Sequence, residues 1–203
     1  MPRRKSSRSD NLRKLVANEA ARLMAEQGID DYFLAKRKAA DRLGVSDKAS
    51  LPRNAEIEAA LVENQRLFDA HVHADRVRDY RHAARDALQF FAAFTPRAAG
   101  AVLSGAIAAG SDLEIHLFAD TLEHVTIVLA ENDIPYRLVD RRVRTAGNGH
   151  VRYPACRFVA KEVPVLAIVF PHDGIREAPR SPIDGKSMRR ADLRELESLL
   201  GDR

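Results

Sequence analysis

An α+β fold is expected for this chain, and two observations predict it. Residues 10 to 93 hold no convincing period-two stretch, while apolar residues return there at three- and four-residue spacing, the mark of amphipathic helices. From Thr95 onward short β-rich segments alternate with turn signals. The change of character sets the expected organisation: a helical region over residues 1–93, beginning in a basic, disordered tail, and a sheet domain over residues 94–203. A chain of 203 residues has room for both.

Leu12, Leu15, Val16, Leu23 and Met24 make one helical stripe, which Gly28 ends. A second helix is expected over about 31–43, stopping at Gly44. Asn54 is placed to cap a third, with the stripe Ile57, Ala60, Leu61, Leu67 and Phe68, and Val77, Tyr80, Ala84, Leu88 and Phe91 mark a fourth. Strands are expected near 97–103, 112–118, 135–144, 150–159 and 163–170, with a helix at about 120–132. AGNGH, residues 146–150, supplies a hairpin turn, PRSPIDGKS a loop, and ADLRELESLL a closing amphipathic helix.

Composition, 45% hydrophobic and 31% charged, is that of a soluble globular protein. No apolar run is long enough to span a bilayer, and MPRRKSSRSDNLRK lacks the apolar middle of a secretory signal. Cytoplasmic residence and no membrane partner are the expectations. The single cysteine, Cys156, sits in the apolar stretch YPACRF, where a buried inert thiol is expected. The net charge of +4 is concentrated: Arg3, Arg4, Lys5 and Arg8 form one cluster, Lys36, Arg37 and Lys38 a second, and Arg141, Arg142 and Arg144 a third. Such clusters suit nucleic acid or nucleotide phosphates. AKRKAADRLGVSD, residues 35–47, has a helix-turn-helix texture, so a regulator reading DNA through its N-terminal helices is one alternative; it requires a recognition helix after the turn, where Pro52 intervenes. His71 and His73, two apart on a helix, cannot share a metal. No Walker loop, nucleophile elbow or cysteine-histidine cluster is present.

The chemistry concentrates in GAVLSGAIAAGSDLEIHL, residues 100–117. Strand alternation puts Asp112, Glu114 and His116 on one face and Leu113, Ile115 and Leu117 on the other. The α-carbons of the two acids are then about 6.6 Å apart, at about 3.3 Å per residue, close enough for both carboxylates to hold one divalent cation. Gly100 and Gly105 permit a tight turn whose N–H groups approach phosphate, and Ser104 and Ser111 add hydroxyls. His116 is either a phosphate contact or a satisfied surface histidine.

The sequence Gly100-Ala101, three residues, Gly105, five residues, then Ser111-Asp112-Leu113-Glu114 resembles the signature of the nucleotidyltransferase superfamily, the fold of DNA polymerase β, poly(A) polymerases and minimal nucleotidyltransferases. Ala101 stands where the family has serine. The resemblance implies a mixed sheet, a nucleoside triphosphate held by Gly100, Ala101, Ser104, Gly105 and Ser111, and Mg²⁺ or Mn²⁺ held by Asp112 and Glu114. It further implies transfer of a nucleoside monophosphate to a hydroxyl on RNA, DNA, protein or a small molecule, with Asp112 and Glu114 catalytic. PACRF, residues 154–158, resembles the strand that precedes the third catalytic acid of the poly(A)-polymerase-like branch. That acid is expected near Leu166 or Ala167, neither of which binds a metal; Asp140, Glu162 and Asp173 are the remaining candidates. Two carboxylates without a third imply nucleotide binding with slow or absent turnover, so a degenerate nucleotide- or nucleic-acid-binding member is the other alternative.

Overall fold

Helix periodicity builds the first part of the chain. Helix α1 (Arg3–Gln27) incorporates the basic residues expected in a tail. It buries Val16, Ala20 and Leu23 with Ala17, Ala21 and Met24, while Leu15 of the expected stripe faces solvent. Asp31 caps α2 (Tyr32–Arg42) by accepting from the N–H groups of Phe33 and Leu34 at 2.7 and 3.1 Å. Ala35, Ala39 and Ala40 of that helix are buried, small enough for close helix packing. Helix α3 (Asn54–Phe68) buries Ile57 and Leu61, whereas Leu67 is exposed. Asn54 does not cap it: the Arg53 N–H donates to the Glu56 carboxylate at 2.7 Å, and Asn54 instead accepts from Lys36 Nζ and donates to the Pro182 carbonyl.

The computed structural model describes residues 3–29, 31–68, 70–108, 110–147 and 149–201. They divide into two compact units at His73/Ala74, Pro182–Asp184 grouping with the first. Helix α4 (Ala70–Phe90) turns its stripe of Tyr80, Ala83, Ala84, Ala87 and Leu88 into the core of the sheet unit. No helix among the described residues is long and apolar enough to cross a membrane.

Among the described residues, six strands and three more α-helices complete the sheet unit: β1 (Arg97–Ala99), α5 (Ala101–Ser104), β2 (Leu113–Phe118), α6 (Leu122–Glu131), β3 (Tyr136–Arg144), β4 (His150–Ala160), β5 (Val163–Phe170), β6 (Arg190–Ala191) and α7 (Leu193–Gly201). The sheet is mixed, in the order β3-β4-β5-β2-β1-β6. Strand β2 runs parallel to β5 and antiparallel to β1, and the other neighbours are antiparallel. The strand expected over 97–103 stops at Ala99, since Gly100 leaves extended geometry and begins a helical turn. The two-residue β6 carries no sequence signal of its own.

One face of the sheet carries the core. Leu113, Ile115, Leu117, Val165, Ala167, Val169, Cys156 and Phe158 pack there with α4 and α6. Each fully buried Leu or Ile contributes about 1.5–3 kcal/mol. Burial raises the Cys156 thiol to about 11, the inert state its surroundings predict. A reciprocal Asp192–Glu195 capping box starts α7, which docks Leu196 on the same core. Two connections fix the far strands. Lys161 and Glu162 join β4 to β5 at φ +47° and +70°, the left-handed pair of a type I′ hairpin. Strands β3 and β4 are joined through AGNGH, closed by a Thr145 N–H to Gly149 carbonyl bond at 3.0 Å; Asn148 of that turn lies outside the described residues.

Candidate functional site

The glycine-rich segment becomes a helical turn wedged between two antiparallel strands. Gly100 has φ +73° and ψ −143°, and Gly105 closes the turn at φ +83°. A Cβ on Gly100 would meet nothing closer than the Glu114 Cβ at 3.9 Å, so the backbone angle, rather than space, requires glycine. The N–H groups of Ala101 and Val102 open the turn and have no intrahelical carbonyl to bond. Ser104 is exposed, with Oγ accepting from the Ala106 N–H at 3.4 Å. Helix α4 anchors both ends of the segment: Tyr80 donates to the Ser111 carbonyl at 2.7 Å, and Arg81 to the Val102 and Leu199 carbonyls at 3.4 and 2.9 Å.

Beyond this loop the second face of the sheet presents charge. Alternation from Ala99, paired with Glu114, and from Leu166, paired with both Glu114 and Arg157, puts Asp112, Glu114 and His116 on a face with Arg97, Arg137, Arg141, Arg157 and Arg190. Five arginines thus face two acids. Arg157 Nη2 donates to Asp112 Oδ2 in a close ion pair, and Arg141 Nη2 lies 3.8 Å from Glu114 Oε2. Arg141 and Arg157 remain about half exposed, at 49% and 52%. Their guanidinium groups are therefore within reach of a ligand at the acids.

His116 is not a surface residue. It is fully buried, its Nε2–H donates to Glu114 Oε1 at 2.7 Å, and its Nδ1 accepts from Arg190 Nε at 2.8 Å. This chain of donors defines a neutral Nε2–H tautomer. Burial pulls the imidazole pKa down, opposed by Glu114 and reinforced by the charges of Arg190 and Arg141. For Glu114, burial works against the charged form, but the hydrogen bond from His116 and the positive charges of Arg141 and Arg190 outweigh it, and the carboxyl is held below its ordinary value. Burial also lowers Arg190, to about 10, leaving it cationic at neutral pH. Its guanidinium lies over the Phe118 and Phe170 rings at 5.1 and 5.0 Å and donates through Nη1 to the Gly174 carbonyl at 2.8 Å.

The parallel register of β2 and β5 sets Leu166 directly beside Glu114, where the resemblance places a third acid. Leu166 is 5% exposed and packs with Phe118, Ala155, Ile168 and Phe170. None of the other acids replaces it. Asp140, opposite Pro154, points to the other face, Glu162 occupies the β4–β5 turn, and Asp173 lies past the end of β5. The donor set does not fit a resident Mg²⁺ pair: two carboxylates are present, Asp112 ion-paired with Arg157 and Glu114 hydrogen-bonded by His116 and faced by Arg141, and no group of three or more potential ligands converges among the described residues. At the other end of the same face, about 13 Å along β5 at about 3.3 Å per residue, lies a cavity of ≈ 360 Å³. Val143, Tyr153, Phe170, Asp173 and Glu177 line it, and the Tyr153 and Phe170 rings are 4.5 Å apart.

Comparisons of the chain with protein-family models, with curated proteins and with solved structures found no match. The arginines that partner the acids and His116 come from β3, β4 and β6, between 27 and 74 positions from the residues they contact. Of these, Arg141 belonged to a visible basic cluster and Arg157 to the PACRF pattern; Arg190 had no signal.

Proposed function

We propose that this protein binds a nucleoside triphosphate on the arginine-bearing face of its sheet, as a nucleotidyltransferase-like protein that has exchanged metal-assisted transfer for cationic phosphate binding. The observation that carries this reading is the pair of acids beside Leu166, Asp112 and Glu114, flanked by the half-exposed guanidinium groups of Arg157 and Arg141. Arginine presents a planar fork of donors that matches phosphate oxygens bidentately. The loop from Gly100 to Ser111 abuts Glu114 and offers backbone donors to the same ligand. The aromatic cavity has the size of a small-molecule pocket and receives the base against Tyr153 and Phe170.

Thermal melts with ATP, GTP, CTP and UTP, each with and without Mg²⁺, test the reading. A nucleotide at about 100 times its Kd should add about 2.7 kcal/mol, or about 5–10 °C. The shift should persist in EDTA and disappear in Arg157→Glu. No shift with any nucleotide sinks the binding proposal. Robust transfer of label from radiolabelled nucleotide to RNA, protein or small molecules, dependent on Mg²⁺ or Mn²⁺, would restore Asp112 and Glu114 as catalytic metal ligands.

A further inference from the structure

We infer that the projecting end of the β3–β4 hairpin is a docking surface for double-stranded nucleic acid, held by its phosphates and read without sequence preference. The inference is independent of the nucleotide site, because it uses the opposite face of the hairpin.

Strand β4 pairs with β5 only from Ala155 to Ala160, so His150–Pro154 pair with β3 alone and form a two-stranded ribbon extending past the sheet. On the face that continues the line of Cys156, this ribbon carries Asp140, Arg142 and Arg144 from β3 and His150 and Arg152 from β4. All five are exposed. Arg142 stands directly opposite Arg152, and Arg144 opposite His150, in the cross-strand register. Like charges directly opposite destabilise a hairpin. No ion pair relieves Arg142 or Arg152 among the described residues, and Asp140 is the one acid on the ribbon. Arg142 and Arg152, held in opposition with no ion pair among the described residues, suit an external polyanion.

The kind of polyanion follows from what else the face carries. It has no Phe, Tyr or Trp, and the single imidazole of His150 makes no continuous platform for stacking successive unpaired bases, which single-strand binding uses. Nor does the ribbon face carry a Trp, Phe or Leu at its tip of the sort that enters a membrane interface. What remains is a narrow, basic two-stranded ribbon, an element that the major groove of duplex DNA admits and whose arginines can neutralise phosphates on the groove walls.

The test uses the full chain and fluorescein-labelled 16-base-pair DNA and RNA duplexes, a single strand of each, and phosphatidylserine vesicles, with salt titrated. Both duplexes should bind at low salt, or DNA more tightly if the ribbon enters the wider major groove, with no difference between a sequence and its scramble. Three arginine contacts predict a log–log salt slope of about −2.7. Arg142→Gln with Arg152→Gln should lower duplex affinity on the order of tenfold and reduce the slope to about −0.9. The melting temperature of that variant should hold or rise, since opposed charges are removed. Undiminished duplex binding by the double variant, absence of duplex binding at low salt, tighter binding to single strands, or binding to vesicles alone overturns the inference.

Discussion

Glu114 and His116 show how one buried contact settles the role of a residue. As a metal ligand Glu114 would need a free carboxylate edge; here one oxygen accepts from His116 and the other faces Arg141. Both folded pKa values lie below their ordinary ones. The unfolded chain therefore binds more protons than the folded one below about pH 6.5 for the histidine and below about pH 4.3 for the glutamate. Stability contributed by the pair is complete above those values and is lost as pH falls through the folded ones. We expect the melting temperature to fall between about pH 7.5 and about pH 5.5, and His116→Gln, which cannot protonate, to flatten that fall. Equal slopes in the two proteins would show that other histidines set the acid response. Leu166 gives the complementary case. Leu166→Asp places a carboxylate in an apolar cluster, and a cost of about 3 kcal/mol is expected, or about 6–12 °C in melting temperature. A Mn²⁺ titration should show no gain. Tighter Mn²⁺ binding by this variant would mean that position 166 can complete the metal site.

Among the elements, the β4–β5 hairpin carries the clearest local cost. Its turn places Lys161 and Glu162 in the left-handed region, which costs an L-residue about 1–2 kcal/mol. Lys161 recovers part of this through its ion pair with Asp86 at 2.6 Å, whereas Glu162 makes no side-chain hydrogen bond or ion pair among the described residues. Glu162→Gly removes the strain and adds the entropy cost of glycine, about 0.5–1 kcal/mol. The net expected gain is about 0.5–1 kcal/mol, or about 1–4 °C. A lower melting temperature would show that Glu162 contributes an interaction of its own. The helical turn α5 works in the opposite sense: the residue at positive φ that opens it is already glycine, and Arg81 of α4 holds it through the Val102 carbonyl.

At the scale of the molecule, the sheet unit has its own closed core. Tyr80 to Leu88 of α4, the following Phe91, one face of β2 and β5, α6 and α7 supply the large buried side chains, with Phe91 packed on Phe94 and Phe158 at 6.3 and 5.9 Å. A fragment of residues 70–203 is accordingly expected to unfold in one cooperative transition and to keep the nucleotide response of the full chain. A broad, non-cooperative melt of that fragment would mean that the first three helices are required for the sheet to form. The acid-linked fall in stability should also appear in this fragment, since Glu114, His116, Arg141 and Arg190 all belong to it.

The sequence by itself determined the features that depend on spacing. Helical periodicity marked α1 to α4, alternation placed Asp112, Glu114 and His116 on one face of a strand, and VPVLAIVF defined β5 to the residue. The same local pattern put an apolar residue where a third acid was expected, and the glycines at 100 and 105 marked the turn, though not that it becomes helical. Tertiary structure decided what those residues face. The parallel register brings Leu166 to Glu114, a hairpin delivers Arg141 and Arg157, and a two-residue strand supplies Arg190 to His116. It also assigned α4 to the sheet and left the tip of the β3–β4 ribbon unpaired with β5. The physical reason is range: a residue's own neighbours fix its backbone angles and the side of a strand it occupies, while its partners are set by strand register and packing between segments distant along the chain.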